Sequence, residues 1–320
     1  MVLRFGEKQR RSMIKKGKKE INNEIMNAHP ELFTYDDAAV KRVQDALLEA
    51  YCELWDFCEK NKLRLFLTGG SMLGAIRHQG FIPWDDDIDL AMPREDFERF
   101  KLIFEQGLGE KYILNAPNYS EKPLSRFPKV LLRDVRENGK RLGFSSEAEC
   151  LPVDIFIIEN VPEGRLLRVW KGFWGNAFEY IAGKVAVYKN RKDPVQKLFG
   201  SYDKTRCRFE LAIGFFFSFL PSYRWNNVID TVLQSKCTDS RLCGTPSGRK
   251  HYFGEIYEKK DIFPGYIISF AGKDARVFTD PHKYLKHLYG SDYMTPPPPE
   301  KREHHFSRSV TAEKEAGESK

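Results

Sequence analysis

The sequence lacks long hydrophobic runs and has few cysteines, and each shortage argues against a class of protein. Its longest uncharged apolar stretch, Leu211–Leu220, is about half of the roughly 20 residues that a membrane-spanning helix needs. Met1–Glu20 is basic with no apolar segment behind it, unlike a secretory signal. The six cysteines are too few for a disulfide scaffold in 320 residues, and they form no Cys-x2-Cys pair typical of zinc sites. A cytoplasmic protein with reduced thiols is expected, the alternative for one pair being a Cys237–Cys243 disulfide.

Net positive charge is scarce outside the first twenty residues. The whole chain carries +7, and Met1–Glu20 contributes +6 of it through eight Lys or Arg and two Glu. A nearly neutral remainder argues against nucleic-acid binding as the main activity. The basic arm predicts either peripheral contact with anionic lipid on the inner face of the membrane or a solvated leader.

Apolar periodicity predicts a mixed sheet with flanking helices. Apolar residues at three- and four-residue steps predict amphipathic helices from Asp36 to about Lys62 and over Arg94–Gln106. Short apolar segments bounded by turn residues predict strands, namely Leu63–Thr68, part of Phe81–Pro93, Lys129–Val135 and Leu151–Ile158. The apolar spacing is mostly helical in Arg165–Leu233. Strands are predicted in Phe253–Phe278, and a closing helix is predicted in Pro281–Leu288. The predicted fold is therefore α/β (α+β), with a largely helical C-terminal half.

The same patterns divide the chain into four parts. Residues 1–35 form a basic arm and residues 36–160 an α/β core. Residues 161–300 form a mostly helical region that completes the same domain; the family resemblance given below implies that 36–160 is the nucleotidyltransferase-like catalytic core and 161–300 the acceptor region. Residues 301–320 are a charged tail, expected to be disordered because little in it can pack.

Four aspartates within five positions carry the strongest chemical signal. Side chains alternate along an extended strand, so Asp85, Asp87 and Asp89 share one face and Asp86 lies on the other. Three carboxylates on one face repel each other unless a cation lies among them. Oxygen ligands of this kind suit Mg²⁺ or Mn²⁺.

Two further segments support a site for metal and phosphate. Asp154 interrupts the apolar strand Leu151–Ile158, so it should face a cation, a donor or the active cleft, as a third metal ligand or as a base. The alternative is an aspartate that caps a loop at a strand end. The turn Gly69-Gly70-Ser71, between a strand and a helix capped by Ser71, is expected to place backbone N–H groups against phosphate.

Arg77 and His78 follow that turn along the same helix. Both can add positive charge near a transferring phosphoryl group, although His78 fits a packing role equally well. A glycine-rich turn followed 16 residues later by Asp-x-Asp on a strand is the layout of a nucleotidyltransferase site.

At this point the residues carry a family resemblance. Gly70–Met92, with LGAIRHQGFIPWDDDIDL, closely resembles the signature of the LicD family of phosphotransferases, which includes bacterial phosphorylcholine transferases and the fukutin proteins. A closing motif between Tyr284 and Pro297 is similar as well. The resemblance implies a nucleotidyltransferase-like core with Asp87 and Asp89 as the metal pair, Asp85 as a helper and Asp154 as a third acid.

The implied reaction moves a phosphate-linked group from a CDP-activated donor, such as CDP-choline or CDP-ribitol, to a hydroxyl of a glycan. The acceptor would be a cell-surface glycan of the lipopolysaccharide, teichoic acid or capsule type, which is often lipid-linked in this family. The alternatives are a metal-dependent glycosyltransferase that uses a nucleotide sugar, and a non-catalytic relative that binds nucleotide or membrane.

The Phe-rich segment Phe209–Leu220 has two interpretations. As a helix it is apolar almost all round, so it is either buried in the core or inserted into a bilayer interface. Burial is the expectation, while the basic residues that flank the segment favour the interface.

Overall fold

A computed structural model describes residues 37–132, 135–137, 140–142, 150–192, 204–237, 239–298 and 302. The basic arm and nearly all of the charged tail lie outside these residues. The helices, in chain order, are α1 Asp37–Lys60, α2 Gly69–His78, α3 Arg94–Gly107, α4 Arg165–Lys189, α5 Lys204–Phe216, α6 Ser222–Leu233, α7 His251–Gly254, α8 Lys259–Ile262 and α9 Pro281–Tyr289. The strands are β1 Phe66–Leu67, β2 Asp89–Pro93, β3 Tyr112–Asn115, β4 Lys129–Leu132, β5 Val135–Glu137, β6 Lys140–Leu142, β7 Leu151–Asn160, β8 Leu242–Gly244, β9 Ile256–Glu258, β10 Tyr266–Phe270 and β11 Lys273–Val277.

A mixed sheet forms the centre of the molecule, as predicted. Its strands follow the order β1-β2-β7-β4-β3, with β8 attached to β7 and β9 to β8. β2 and β7 run parallel, and their register sets Asp89 beside Asp154. β4 pairs with β7 from the other side and sets Lys129 beside the same Asp154. Strand pairing alone therefore gathers these three charged residues.

Helices and later strands close one large core around this sheet. Leu47 of α1, Phe100 of α3 and Leu285 of α9 are all fully buried in it. Phe57 of α1 meets Phe100 edge-on, with ring centroids 5.9 Å apart. Because α9 lies more than 200 residues after β1, the C-terminal residues complete the core, in line with the predicted return to strands and a closing helix.

The predicted helical part, described over residues 165–192 and 204–233 and here called the helical region, comprises α4, α5 and α6. A small apolar cluster joins it to the rest of the chain: Ile229 and Leu233 of α6 pack with Val161 and Tyr252. Arg94 of α3 ties this region to the sheet, because it bonds Glu159 of β7 at 2.7 Å and Asp230 of α6 at 2.6 Å.

Three sequence expectations need correction. The Phe-rich segment is not buried: Phe209, Phe215, Phe216 and Phe219 are each at least 64% exposed, and Gly214 is its one buried residue. Thr68, not Ser71, precedes the first residue of α2. Asp85 and Asp87 precede β2, which begins only at Asp89.

Two further findings concern cysteines and membranes. All six cysteines are free thiols, so Cys237 and Cys243 form no disulfide. In the part of the chain that the structure describes, every helix is too short or too polar to cross a bilayer.

Candidate active site

A cavity of about 750 Å³ lies beside the loop that precedes β2. Its volume is typical of a small-molecule site, for which roughly 300–1,000 Å³ is usual. The predicted site residues that line it are Gly69, Gly70, Arg77, Asp85, Asp87, Asp89 and Asp154. Ser71 and His78 do not line it. The structure thus brings together most of the residues that the sequence singled out.

The aspartate segment divides into two faces, as the alternation predicts. Asp85, Asp87 and Asp89 line the cavity, while Asp86 is only 4% exposed and Ile88 is fully buried. The extended backbone before β2 produces this division although only Asp89 belongs to the strand.

Crowding makes these carboxylates costly to ionise. Burial, and then the charges of Asp87 and Asp89, raise the pKa of Asp85 to about 9. Burial, and then the charges of Asp87 and Asp154, raise the pKa of Asp89 well above its usual range. A divalent cation among these oxygens would reverse both effects, because an opposite charge favours the ionised form.

The turn between β1 and α2 positions Asp89. The Gly70 N–H donates to Asp89 Oδ2 at 3.1 Å, and the Asp89 N–H donates to Ser71 Oγ at 2.8 Å. Gly69 has φ +50°, and a Cβ there would lie 2.4 Å from Asp89 Oδ2. Glycine is therefore required both for the left-handed backbone and for the close approach.

The amide of Gly69 also has a partner. It donates to Tyr284 Oη at 3.2 Å, and that hydroxyl lies 2.8 Å from Thr68 Oγ1. In this arrangement the turn orients Asp89 and Tyr284, and Ser71 acts through Asp89. That the turn itself binds phosphate stays a prediction.

Asp154 faces the same cavity as Asp87 and Asp89. It forms an ion pair with Lys129 on the neighbouring strand β4. Lys129 also lies over the ring of Phe127, 4.9 Å from its centroid. The single acid in the apolar strand β7 therefore has a cationic partner, the compensation that a partly buried carboxylate needs.

Arg77 and His78 have different surroundings. The Arg77 guanidinium lines the cavity and donates to the Tyr293 carbonyl at 2.8 Å. His78 lies outside the cavity wall, where its Nε2 accepts from Arg77 Nε at 2.9 Å. Burial, and then the charge of Arg77, lower the pKa of His78. In this arrangement His78 orients Arg77, and contact of His78 with a ligand stays a prediction.

Several cavity residues were missed by the sequence reasoning. They are Trp84, Arg126, Phe127, Phe156, Arg249, Glu255, Tyr284, Tyr289 and Tyr293. Phe127 and Phe156 stack with ring centroids 4.6 Å apart. The closing motif that resembles the LicD family was a usable signal for the three tyrosines. Nothing in the local sequence marks Arg126 or Glu255.

The donor set fits a hard cation held by few protein ligands. Within the described ranges, no group of three or more Asp, Glu, His or Cys side chains is arranged to hold a metal ion. Mg²⁺, however, usually takes one or two carboxylates and completes its shell with water and substrate phosphate. The crowded oxygens of Asp87 and Asp89 meet that requirement.

Comparisons with known proteins show similarity to phosphotransferases of the LicD type. Residues 62–160 match the family model described as LicD/FKTN/FKRP, nucleotidyltransferase domain. The lipopolysaccharide cholinephosphotransferase LicD of Haemophilus influenzae is 26% identical over 264 residues, which cover 79% of this chain and 90% of that protein. The human ribitol 5-phosphate transferase FKRP is 56% identical over 34 residues, only 11% of this chain and 7% of that protein.

Proposed function

Because the chain carries a LicD-family nucleotidyltransferase domain, we propose that it is a phosphotransferase that moves a phosphate-linked group from a CDP-linked donor to a glycan hydroxyl. The observation that carries this proposal is the set of four carboxylates, from Asp85, Asp87, Asp89 and Asp154, that share one cavity with arginines. Phosphocholine and ribitol phosphate are the candidate groups, because the named relatives transfer them.

The cavity wall offers cations for the donor's diphosphate. Arg77, Arg126 and Arg249 all line it. Arg126 is fixed in place, because it donates to the Ser247 carbonyl at 3.1 Å and pairs with Glu179 at 3.1 Å. Fixed guanidinium groups stabilise charge on phosphoryl oxygens without reorganising during the reaction.

Asp87 and Asp89 would hold Mg²⁺ or Mn²⁺, with Asp85 as a helper and Asp154 as a further candidate ligand. When bound, the cation supplies Lewis-acid stabilisation of the charge on the phosphoryl oxygens. Gly69 and Gly70 contribute by keeping Asp89 in position at the floor of the cavity.

Asp154 is the candidate general base. Its carboxylate lines the cavity and pairs with Lys129, and an ionised carboxylate is the form that accepts a proton. The acceptor oxygen bonds to the distal phosphorus as the bond from that phosphorus to the bridging oxygen of CMP breaks. The hydroxyl proton passes to Asp154 and CMP leaves.

The test is incubation of the purified chain with a panel of CDP-linked donors and Mg²⁺, with and without candidate glycans. We expect CMP release that depends on the glycan, the divalent cation and one class of donor, with phosphorus in the product. A product that contains sugar but no phosphorus, formed from a nucleotide sugar, would instead establish the glycosyltransferase alternative. No turnover with any donor would support a non-catalytic binding protein.

A further inference from the structure

The outer face of α4 exposes large apolar side chains along its first four turns. Leu166, Trp170, Phe173 and Tyr180 are between 49% and 88% exposed, and their spacing places them on one stripe of the helix. The opposite face is the buried one and contains Lys171, Gly172, Gly175 and Glu179. This helix therefore exposes Trp170, Phe173 and Tyr180 on the face that points away from the protein.

Ring contacts join this stripe to the Phe-rich segment. Trp170 meets Trp174, Trp174 stacks on Phe178, and Phe178 meets Trp225 of α6, with centroids 6.5, 5.6 and 5.9 Å apart. Trp225 in turn meets Phe219 at 6.2 Å. The exposed rings of Trp170, Phe173, Phe216 and Phe219 thus belong to one network of ring contacts that runs through the buried Trp225. These four exposed side chains are here called the aromatic face.

The helices that carry the aromatic face are strongly basic. Together α4, α5 and α6 contain nine Lys or Arg and three acidic residues. Each of those acids has a cationic partner: Glu179 pairs with Arg126, Glu210 with Lys184, and Asp230 with Arg94. The charge left over is positive.

We propose that the aromatic face docks on an anionic membrane surface. Exposed Trp, Phe and Leu beside Lys and Arg are the combination that inserts shallowly into a headgroup layer and is attracted to anionic lipid. Each of the three acids pairs within the protein, and the exposed Arg165, Lys189, Arg208 and Arg224 supply positive charge for the lipid surface. The inference concerns where the protein sits and does not depend on the proposed reaction.

Charge favours this occupant over a second copy of the chain. In a symmetric dimer the same face meets itself, so two basic surfaces would be pressed together. An anionic lipid surface offers both apolar depth and opposite charge. Large exposed apolar patches otherwise mark sites of interaction or aggregation.

The test is co-sedimentation of the full chain with vesicles of phosphatidylcholine, alone or mixed with phosphatidylglycerol. Two double variants remove the face at its two ends: Trp170→Ser with Phe173→Ser, and Phe216→Ser with Phe219→Ser. Leu102→Ser is the matched control, because Leu102 of α3 is 80% exposed and lies outside the aromatic face. A third variant, Arg208→Glu with Arg224→Glu, tests the charge, because both arginines are exposed and flank the Phe-rich segment.

We expect wild type and the Leu102 variant to pellet with mixed vesicles and only weakly with pure phosphatidylcholine. Each double variant should lower the vesicle partition coefficient at least tenfold, and added salt should lower wild-type binding. Transfer to a short water-soluble acceptor should not change in the Phe216 and Phe219 variant, which separates this inference from the proposed function.

Three results would overturn the proposal. The first is wild type that stays in the supernatant at low salt with mixed vesicles. The second is undiminished binding by both aromatic double variants. The third is a dimer by light scattering that these variants dissociate without any vesicle binding, which would assign the aromatic face to a second copy.

Discussion

The sheet core and the helical region differ in where their aromatic side chains lie. In the core, Phe66, Phe100 and Phe104 are buried and the carboxylates lie at the cavity. In the helical region several aromatic side chains are exposed, Trp170 and Phe216 among them, while Lys171 and Glu179 are at most 9% exposed. Lys171 donates to the Gln234 carbonyl at 2.7 Å, and Glu179 pairs with Arg126 and with His251.

The two regions therefore differ in the share of buried polar contacts. The core is stabilised by apolar burial, which is non-directional and tolerates substitutions that conserve volume. The helical region combines a small apolar cluster with buried polar contacts to the core, and such contacts fail when one partner is removed. Apolar surface that is not used for folding remains available for docking.

The largest expected effect lies in the core and concerns activity alone. Asp89→Asn should lower transfer by about 10³-fold, because it removes a charge that binds the metal and balances the reacting phosphate. Thermal stability should be unchanged or higher, since the substitution relieves repulsion with Asp87 and Asp154. Asp56→Asn, on the exposed surface of α1, is the control and should match wild type. Near-normal turnover of Asp89→Asn at saturating Mg²⁺ would remove Asp89 from the site.

The next largest expected effect is a loss of stability when Arg94, which connects the two regions, is replaced. Arg94→Met leaves Glu159 and Asp230 buried without their cation, which should cost about 3–5 kcal/mol in urea unfolding. Arg241→Met removes an arginine whose ion pair with Glu163 is exposed and should cost less than about 1 kcal/mol. Similar losses for both variants would contradict the view that polar contacts hold the helical region.

Glu255, in the polar wall of the cavity, should make the stability of the protein depend on pH. Burial raises its pKa from 4.5 to about 7, so the folded protein favours the protonated form. Its stabilising contribution is complete below pH 4.5 and is lost as pH rises through 7. Glu255→Gln should therefore gain stability over wild type by about 2–3 kcal/mol more at pH 8 than at pH 5.

The control for this prediction is Glu49→Gln on the exposed face of α1. Its stability difference from wild type should be the same at both pH values. A pH-independent difference for Glu255→Gln as well would show that Glu255 is ionised in the folded protein at neutral pH.

Alanine substitutions at two glycines, one in each region, should change the stability of the protein in opposite directions. Gly69→Ala places a Cβ 2.4 Å from Asp89 Oδ2 at φ +50°, which should destabilise the protein by about 1–3 kcal/mol and lower activity. Gly183 lies within α4, and a methyl group on its Cα would have open space for 4 Å around it. Gly183→Ala should stabilise by about 0.5–1 kcal/mol, because alanine is the better helix former. Thermal unfolding of both variants measures the two signs.

Local patterns determined much of the fold. The predicted helix Asp36–Lys62 is observed as Asp37–Lys60, and the predicted strand Leu151–Ile158 as Leu151–Asn160. The two-residue alternation also placed Asp85, Asp87 and Asp89 on the cavity side. These features follow from the 3.6-residue period of helices and the two-residue period of strands, which can be seen among neighbouring residues of the sequence.

Only the tertiary structure decided which distant residues meet. Tyr284 reaches Thr68 across 216 positions, and Arg126 reaches Glu179 of α4, so neither contact has a local pattern. The Phe-rich segment is the clearest case: its composition predicted burial, yet four of its five phenylalanines are exposed. Hydrophobicity sets the free energy that a side chain gains by leaving water. Whether the side chain becomes buried depends on the surface that the rest of the chain provides for it.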